Sequence, residues 1–208
     1  MHQFLTDFVT LLVVINPISK LSIFLAVTAG QSPQRQRSIA LRATLIAFGV
    51  LIFFIVLGQI LLGALGIGIE SFRIAGSLVL LLFGLQMVFD KVGKSTPDSQ
   101  VAGLSNTEIA VFPLAVPAIA GPGAMLAVVV LTDNDQFTVL EQAQTAATLV
   151  LALLITWGAM RFAAPILKLI RPAGANIVAR VMGLILASLA VNGMVRAVIA
   201  IVHGASCG

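Results

Sequence analysis

The sequence predicts an all-α, polytopic membrane protein with six transmembrane helices. They form two related halves of three helices with inverted topology, and the first helix of each half is broken. The composition, the apolar segments and an internal repeat lead to this prediction. Of the 208 residues, 59% are apolar and only 10% are charged, with a mean hydropathy of +1.10. Soluble domains carry about 25% charged residues. The composition therefore excludes a soluble enzyme, a nucleic-acid-binding domain and a disordered chain.

Six apolar segments have about the length that a helix needs to cross the hydrocarbon core, roughly 20 residues. Because lipid offers no hydrogen-bond partners to the backbone, helices are the expected form of these segments. The predicted spans are 4–29, 43–65, 72–89, 109–132, 142–160 and 180–202. They divide the chain into a first three-helix repeat, 1–105, and a second, inverted repeat, 106–208.

Lysine and arginine are unevenly distributed between the connecting segments. The segments after the first, third and fifth spans hold most of them: Arg35, Arg37, Arg42, Lys91, Lys94, Arg161, Lys168 and Arg171. One segment on the other side contains the acidic run Asp133-Asn134-Asp135. The positive-inside rule therefore predicts that these segments face the cytoplasm and that both termini are extracytoplasmic. The expected location is the bacterial plasma (inner) membrane.

Two short patterns recur at almost the same offset. Each half contains an arginine, a glycine three residues later and a methionine eleven residues after the glycine: Arg73, Gly76 and Met87, and then Arg180, Gly183 and Met194. The pair Asn16-Pro17 corresponds to Gly121-Pro122, 105 residues later. Because each half has three spans, the second half must enter from the opposite side, which gives an inverted repeat of the kind found in many transporters.

The recurring pairs predict a break inside the first span of each half. Proline interrupts a helix interior, and asparagine followed by proline is typical of a helix start. Such breaks leave backbone N–H groups that suit a carboxylate and carbonyls that suit an ammonium group. We therefore expect a site for a zwitterion at the two breaks, built from Asn16, Pro17, Ser19, Gly121, Pro122 and Gly123. A pair of kinked helices without a ligand is the alternative.

At these residues the chain resembles the MarC family of integral membrane proteins over almost its whole length. The family pattern N-P-x-G-x-x-P-x-F-L-x-x-T aligns with 16–28, where Ser19 and Ser22 replace the glycine and the second proline. The pattern P-L-A-x-P-x-x-A-G-P-G-A is matched at 113–124. The resemblance implies transport of small neutral amino acids such as glycine and alanine. A channel or exporter for another small solute or an inorganic ion is the alternative.

Charged residues near the spans are candidates for gating or coupling. Lys20, about one turn past the first break, either adds a cation to the site or extends towards the cytoplasm. Arg73 and Arg180 either clamp gates, Arg73 through Glu70, or anchor their helices at the interface. The carboxylates that can carry a coupling proton are Asp7, Glu108 and Asp90.

The sequence shows no pattern of an enzyme, a cofactor or a metal site. Its single cysteine, Cys207, and its two histidines, His2 and His203, lie near the chain ends without ligand spacing. An intramembrane enzyme would need paired carboxylates or a nucleophile with a base at midplane depth. The expected partners are the lipid bilayer, a small-molecule substrate and H⁺ or Na⁺ as a coupling ion. No nucleic acid is expected.

Overall fold

The computed structural model describes residues 2–89, 105–133 and 137–206, and these residues form helices without any strand. The helices, in chain order, are α1 (His2–Ile15), α2 (Pro17–Val27), α3 (Pro33–Ala64), α4 (Ile69–Phe89), α5 (Asn106–Ile119), α6 (Pro122–Leu131), α7 (Val139–Arg161) and α8 (Ala163–Ser206). In α5, the first turn is α-helical, and Ala110–Ile119 is an irregular segment in which Phe112 and Val116 have extended dihedral angles.

The apolar helices correspond to the six predicted spans. Five segments are long and apolar enough to cross a membrane: Gln3–Val27, Pro33–Ala64, Ile69–Phe89, Val139–Arg161 and Asn176–His203. Helices α5 and α6, which are bent by 57° at their junction, add a sixth candidate crossing if the pair forms one broken span. The prediction of an all-α polytopic membrane protein is therefore confirmed.

Local sequence explains where the helices begin. Ser32 caps α3 by accepting from the Arg35 backbone N–H, and Pro33 occupies the first turn, where its missing N–H is not needed. Helices α5 and α7 begin with capping boxes at Ser105 and Thr138. In each box the hydroxyl accepts from the backbone N–H of the glutamate three residues later, and the glutamate side chain accepts from the backbone N–H of the capping residue. These caps lie outside the purely apolar stretches, so α3 begins ten residues before the predicted span.

The last helix is longer than predicted. Only Phe162 separates α7 from α8, so residues 163–179, which the sequence suggested as a connecting segment, are helical. The first turns of α8 consist mainly of good helix formers, and Pro165 lies where a proline is tolerated. Arg180 is therefore inside α8 rather than at its start.

The contacts between helices occur in equivalent pairs. Each contact has a counterpart in which every helix is replaced by the corresponding helix of the other half. Helix α1 packs on α7 as α5 packs on α3, and α4 packs on α6 as α8 packs on α2. The third spans of the two halves, α4 and α8, pack along each other. Two glycines allow a close approach between them, because a Cβ on Gly84 would lie 2.8 Å from the Gly183 carbonyl oxygen. Two three-helix units related by a two-fold axis would produce this pattern.

The buried core joins both halves. It combines residues of α1, α2, α3, α5, α6 and α7, while large apolar side chains on the outer faces of α3, α4 and α8 are exposed. In water such exposure would be unfavourable, but it suits a surface that faces hydrocarbon.

We call the side on which α1 begins the N-terminal face. Here α7 also begins and α6 ends, as shown by the contacts of Thr145 with Asp7 and with the Leu131 carbonyl. Helix α4 begins on the same face, because Arg73 in its second turn lies near Asp133. The opposite face contains the starts of α3 and α5, linked by a hydrogen bond from Arg42 to Thr107.

Candidate functional site

The first break lies at the residue that the sequence indicated. Helix α1 ends at Ile15, Asn16 adopts the left-handed conformation (φ 49°, ψ 73°), and Pro17 begins α2. Among residues other than glycine, asparagine is one of the few that adopt this conformation readily. Asn16 is only 5% exposed, so the interruption is buried among the helices.

Side chains at the first break satisfy part of its backbone. The Asn16 side-chain oxygen accepts from the Ser19 N–H at 3.3 Å, and the Ser19 hydroxyl donates to the Asn16 carbonyl at 3.0 Å. The Asn16 amide nitrogen lies 3.8 Å from the Met87 sulfur on α4. The sequence had suggested open backbone groups at both breaks, but at the first break Asn16 and Ser19 bond to each other instead.

The second break is more open. Gly121 caps α6 with an extended backbone (φ −81°, ψ 170°) and has no side chain to bond the first N–H groups, and Pro122 is the first helical residue. A Cβ at Gly121 would lie only 2.6 Å from the Pro117 carbonyl oxygen, so this position requires glycine. Upstream, Phe112 and Val116 depart from helical dihedrals, each just before a proline. The N-terminus of α6 therefore keeps unbonded N–H groups and a partial positive charge.

The two interrupted spans touch close to their breaks. Gly123, in the first turn of α6, is buried, and a Cβ there would overlap Leu80 of α4 and lie 3.4 Å from a Val14 methyl group of α1. Val14 lies two residues before Asn16 and Gly123 lies two residues after Gly121, so each residue is within one turn of its break. The backbone of α6 can approach α1 and α4 this closely because Gly123 lacks a side chain.

A cavity of about 260 Å³ lies beside this contact, between α1, α4, α6 and α8. Val14, Leu80 and Gly123 form part of its wall. Its polar lining residues are Thr10, Arg73, Ser77, Asn192 and Arg196. The cavity thus combines an apolar wall with a few polar groups, which is the usual character of a small-molecule site.

Arg73 connects this cavity to two carboxylates. Its Nη1 lies 3.1 Å from both Glu70 side-chain oxygens, and its Nη2 lies 3.8 Å from Asp133 Oδ2. The side chain is 12% exposed, and its buried Nε has no hydrogen-bond partner. Arg73 therefore joins α4 to the residues that follow α6, and the predicted pairing with Glu70 is present.

The other charged candidates lie apart from the cavity lining. Lys20 is half-buried on α2 and forms no ion pair with a residue that the structure describes. Glu108 is exposed and caps α5 through Ser105, and Arg180 is exposed on α8. Asp7 is buried and accepts from the Thr145 hydroxyl at 2.8 Å. Asp90, Lys91, Lys94, Asn134, Asp135 and Cys207 lie outside the described residues.

Of the residues predicted to bind substrate, the structure brings Gly123 to the cavity, with Asn16, Pro17, Gly121 and Pro122 at the adjacent breaks. Sequence reasoning missed Ser77 and Arg196 as lining residues. Ser77 directly follows the repeated glycine Gly76, and its hydroxyl would lie 2.6 Å from a Cβ at Gly193 of α8. A small polar residue beside a repeated glycine was the available signal.

The fold and the cavity define a polytopic α-helical membrane protein with two interrupted spans that meet beside a polar-lined cavity. A family model described as MarC family integral membrane protein matches residues 1–202. The chain belongs to this family, which confirms the resemblance seen in the sequence.

Named relatives cover almost the whole chain. It is 33% identical over 185 residues to a UPF0056 membrane protein of Buchnera aphidicola, covering 89% of this chain and 86% of the relative. It is 32% identical over 194 residues to one from Archaeoglobus fulgidus, covering 91% and 89%. The UPF0056 inner membrane protein YhgN of Escherichia coli is 30% identical over 195 residues, covering 91% and 93%. No solved structure matches the chain. The helices and these relatives together support a multi-pass inner-membrane protein.

Proposed function

We propose that this protein transports a small neutral amino acid, or a similar zwitterion, across the inner membrane by alternating access. The observation that carries the proposal is the meeting of two interrupted spans beside a polar-lined cavity of about 260 Å³. Interrupted helices that meet inside the bilayer are a recurrent way to build substrate sites in secondary transporters.

The size of the cavity favours a small solute. Pockets for drug-sized ligands occupy about 300–1,000 Å³, so a cavity of about 260 Å³ suits a substrate as small as glycine or alanine.

The charges around the cavity favour a substrate without net charge. Arg73 and Arg196 supply two guanidinium groups, which bind carboxylates well. Two carboxylates, Glu70 and Asp133, face Arg73 and balance these charges. The uncapped N-terminus of α6 adds a partial positive charge for the substrate carboxylate. Because these fixed charges balance, an inorganic anion or cation would add a net charge to the site, whereas a zwitterion would not.

Orientation and gating belong to the same proposal. Both termini face the outside, because Arg35, Arg37 and Arg42 lie at the face opposite the N-terminal face. Arg73 and its carboxylates lie at the N-terminal face, where they tie α4 to the end of α6. Opening the cavity towards the outside requires this connection to loosen, which makes Arg73 a gating residue as well as a lining residue.

Flux measurements with the reconstituted protein test the proposal. Labelled glycine and alanine are loaded into liposomes with and without H⁺ and Na⁺ gradients, and excess unlabelled amino acid is used as competitor. We expect saturable flux that both amino acids inhibit. Flux of inorganic ions that follows the membrane potential and ignores both amino acids would instead support the channel alternative. Absence of flux for every small neutral amino acid would refute the substrate.

A further inference from the structure

A buried carboxylate and a buried hydroxyl meet near the N-terminal face, away from the lining of the cavity. Asp7 lies on α1 and is 3% exposed, and Thr145 lies on α7 and is fully buried. The Thr145 Oγ1 atom is 2.8 Å from Asp7 Oδ2. Asp7 lies within the apolar segment Gln3–Val27, where an ionisable side chain is energetically costly and therefore indicates a functional role.

The Thr145 hydroxyl has more acceptors than protons. Besides Asp7 Oδ2, its oxygen lies 3.3 Å from the Leu131 carbonyl oxygen and 3.2 Å from the Glu141 carbonyl oxygen. A hydroxyl has one proton to donate and two lone pairs with which to accept. Thr145 can therefore donate to only one of these three oxygens at a time.

The protonation state of Asp7 decides which oxygen receives this proton. When Asp7 is ionised it can only accept, so the short 2.8 Å contact is a donation from Thr145 to Asp7. When a proton binds Asp7 Oδ2, the carboxyl group donates to Thr145 Oγ1 along the same contact. The Thr145 proton then turns towards a carbonyl, so no proton is gained or lost except the one bound by Asp7.

The carbonyl of Leu131 gives this change a structural effect. Leu131 is the last residue of α6, where helix carbonyls lack intrahelical partners. The Glu141 carbonyl, by contrast, lies one turn earlier in α7 itself. In the protonated state the contact between Asp7 and Thr145 remains and Thr145 can in addition bond α7 to the end of α6, whereas in the ionised state the Thr145 proton bonds α7 to α1 alone. Helix α6 is the half-helix whose other end forms the second break.

Among the described residues, few charged groups surround this pair. From α7 the charged neighbour is Glu141, whose carboxylate is held by the backbone N–H and hydroxyl of Thr138. From the end of α6 it is Asp133, which faces Arg73. Helix α8 contributes Arg196 to the cavity, which Thr10 of α1 also lines, and His2 is the other titratable residue of α1. No ion pair of Asp7 with a cation occurs in the part of the chain that the structure describes.

We propose that Asp7 is the site at which the coupling proton binds, and that the Thr145 hydroxyl transmits its binding to α6. This inference rests on the proposed transport function and names H⁺ as the coupling ion. The proton enters from the N-terminal face, neutralises Asp7, and frees the Thr145 proton to hold the end of α6.

The response of transport to a pH gradient tests the inference. Liposomes with the full-length protein receive labelled alanine with and without a gradient of one pH unit, and the ratio of the two steady-state distributions is measured. One proton per substrate allows a shift of up to about tenfold. We expect a shift of that order for the wild type and of less than about twofold for Asp7→Asn. Because the readout is a ratio, a lower overall rate does not affect it.

Three threonine variants separate the hydroxyl's role from packing. Thr145→Val is expected to lose most of the pH response, and Thr145→Ser, which keeps the hydroxyl, is expected to retain it. Thr156→Val is the matched control, because Thr156 is also fully buried on α7 but donates only to the Ala152 carbonyl of its own helix. The inference would be overturned if the pH response of Asp7→Asn equalled that of the wild type, or if only a Na⁺ gradient drove transport by the wild type.

A second measurement needs no substrate. Infrared difference spectra of the reconstituted protein between high and low pH are expected to contain a carboxyl band that is missing in Asp7→Asn. If the wild type moves no amino acid, the proposed function fails, and this band still decides whether Asp7 takes up a proton. Identical spectra for the wild type and Asp7→Asn would overturn the assignment.

Discussion

Replacing Gly121 with alanine perturbs the second break by a single methyl group. The added Cβ would lie 2.6 Å from the Pro117 carbonyl oxygen, whereas ordinary van der Waals contact begins at 3.4 Å. The obstacle is backbone on the other side of the same break, so α5 and α6 must separate by about 0.8 Å. Forcing an extra carbon into a packed site typically costs about 1–3 kcal/mol. For a protein of this size, that corresponds to a fall of about 2–12 °C in Tm.

Thermal stability in detergent and alanine flux in liposomes measure this effect. Gly121→Ala is expected to lower both, because the same shift would displace the N-terminus of α6 from the cavity. Gly158→Ala on α7 is the control, since no atom lies within 4 Å of its added Cβ and alanine favours a helix by about 1 kcal/mol. A Gly121→Ala protein as stable and as active as the control would refute the reasoning about the break.

Further predictions concern the two breaks, Arg73 in the cavity lining and the orientation of the protein in the membrane. The double variant Pro17→Ala and Pro122→Ala should insert normally but lose at least about tenfold in flux, because alanine allows helical hydrogen bonding where proline prevents it; wild-type flux would contradict the site. Arg73→Lys should also lose about tenfold, since lysine lacks the planar guanidinium that faces Glu70 and Asp133, while Arg180→Lys on the exposed side of α8 should behave like the wild type. Equal flux in both would contradict the role of Arg73. If both termini are extracytoplasmic, an impermeant thiol reagent should label Cys207 in intact cells stripped of their outer membrane. Labelling only after lysis would indicate the opposite orientation.

The sequence predicted the fold closely because its strongest signals are physical requirements of lipid. Apolar length located the five long apolar helices and the bent pair α5–α6, and proline chemistry located the break at Asn16-Pro17. Helix ends were less predictable, since caps such as Ser32 lie in polar segments that a hydropathy argument leaves out. Residues 163–179 appeared to be a connection because of their charges, although most of them favour a helix.

The candidate site was only partly predictable. The breaks follow from local chemistry, but the lining by Ser77, Asn192 and Arg196 depends on how α4 and α8 pack against α6. The local bonds between Asn16 and Ser19 also required the left-handed conformation of Asn16, which the sequence permits but does not dictate. The matching arginines Arg73 and Arg180 differ in environment, because only Arg73 lies near two carboxylates among the described residues.

Protection of a cysteine in the cavity tests most directly whether the meeting of the two breaks forms a substrate site. Ser77→Cys is introduced into a Cys207→Ser background, where it is the single cysteine, and its reaction with a small thiol reagent is timed with and without glycine or alanine. Val139→Cys, at a position 83% exposed on the same face, is the control. We predict that an amino acid at ten times its Kd slows the labelling of Ser77→Cys by about tenfold and leaves the control unchanged. Equal labelling rates with and without amino acid would contradict the account.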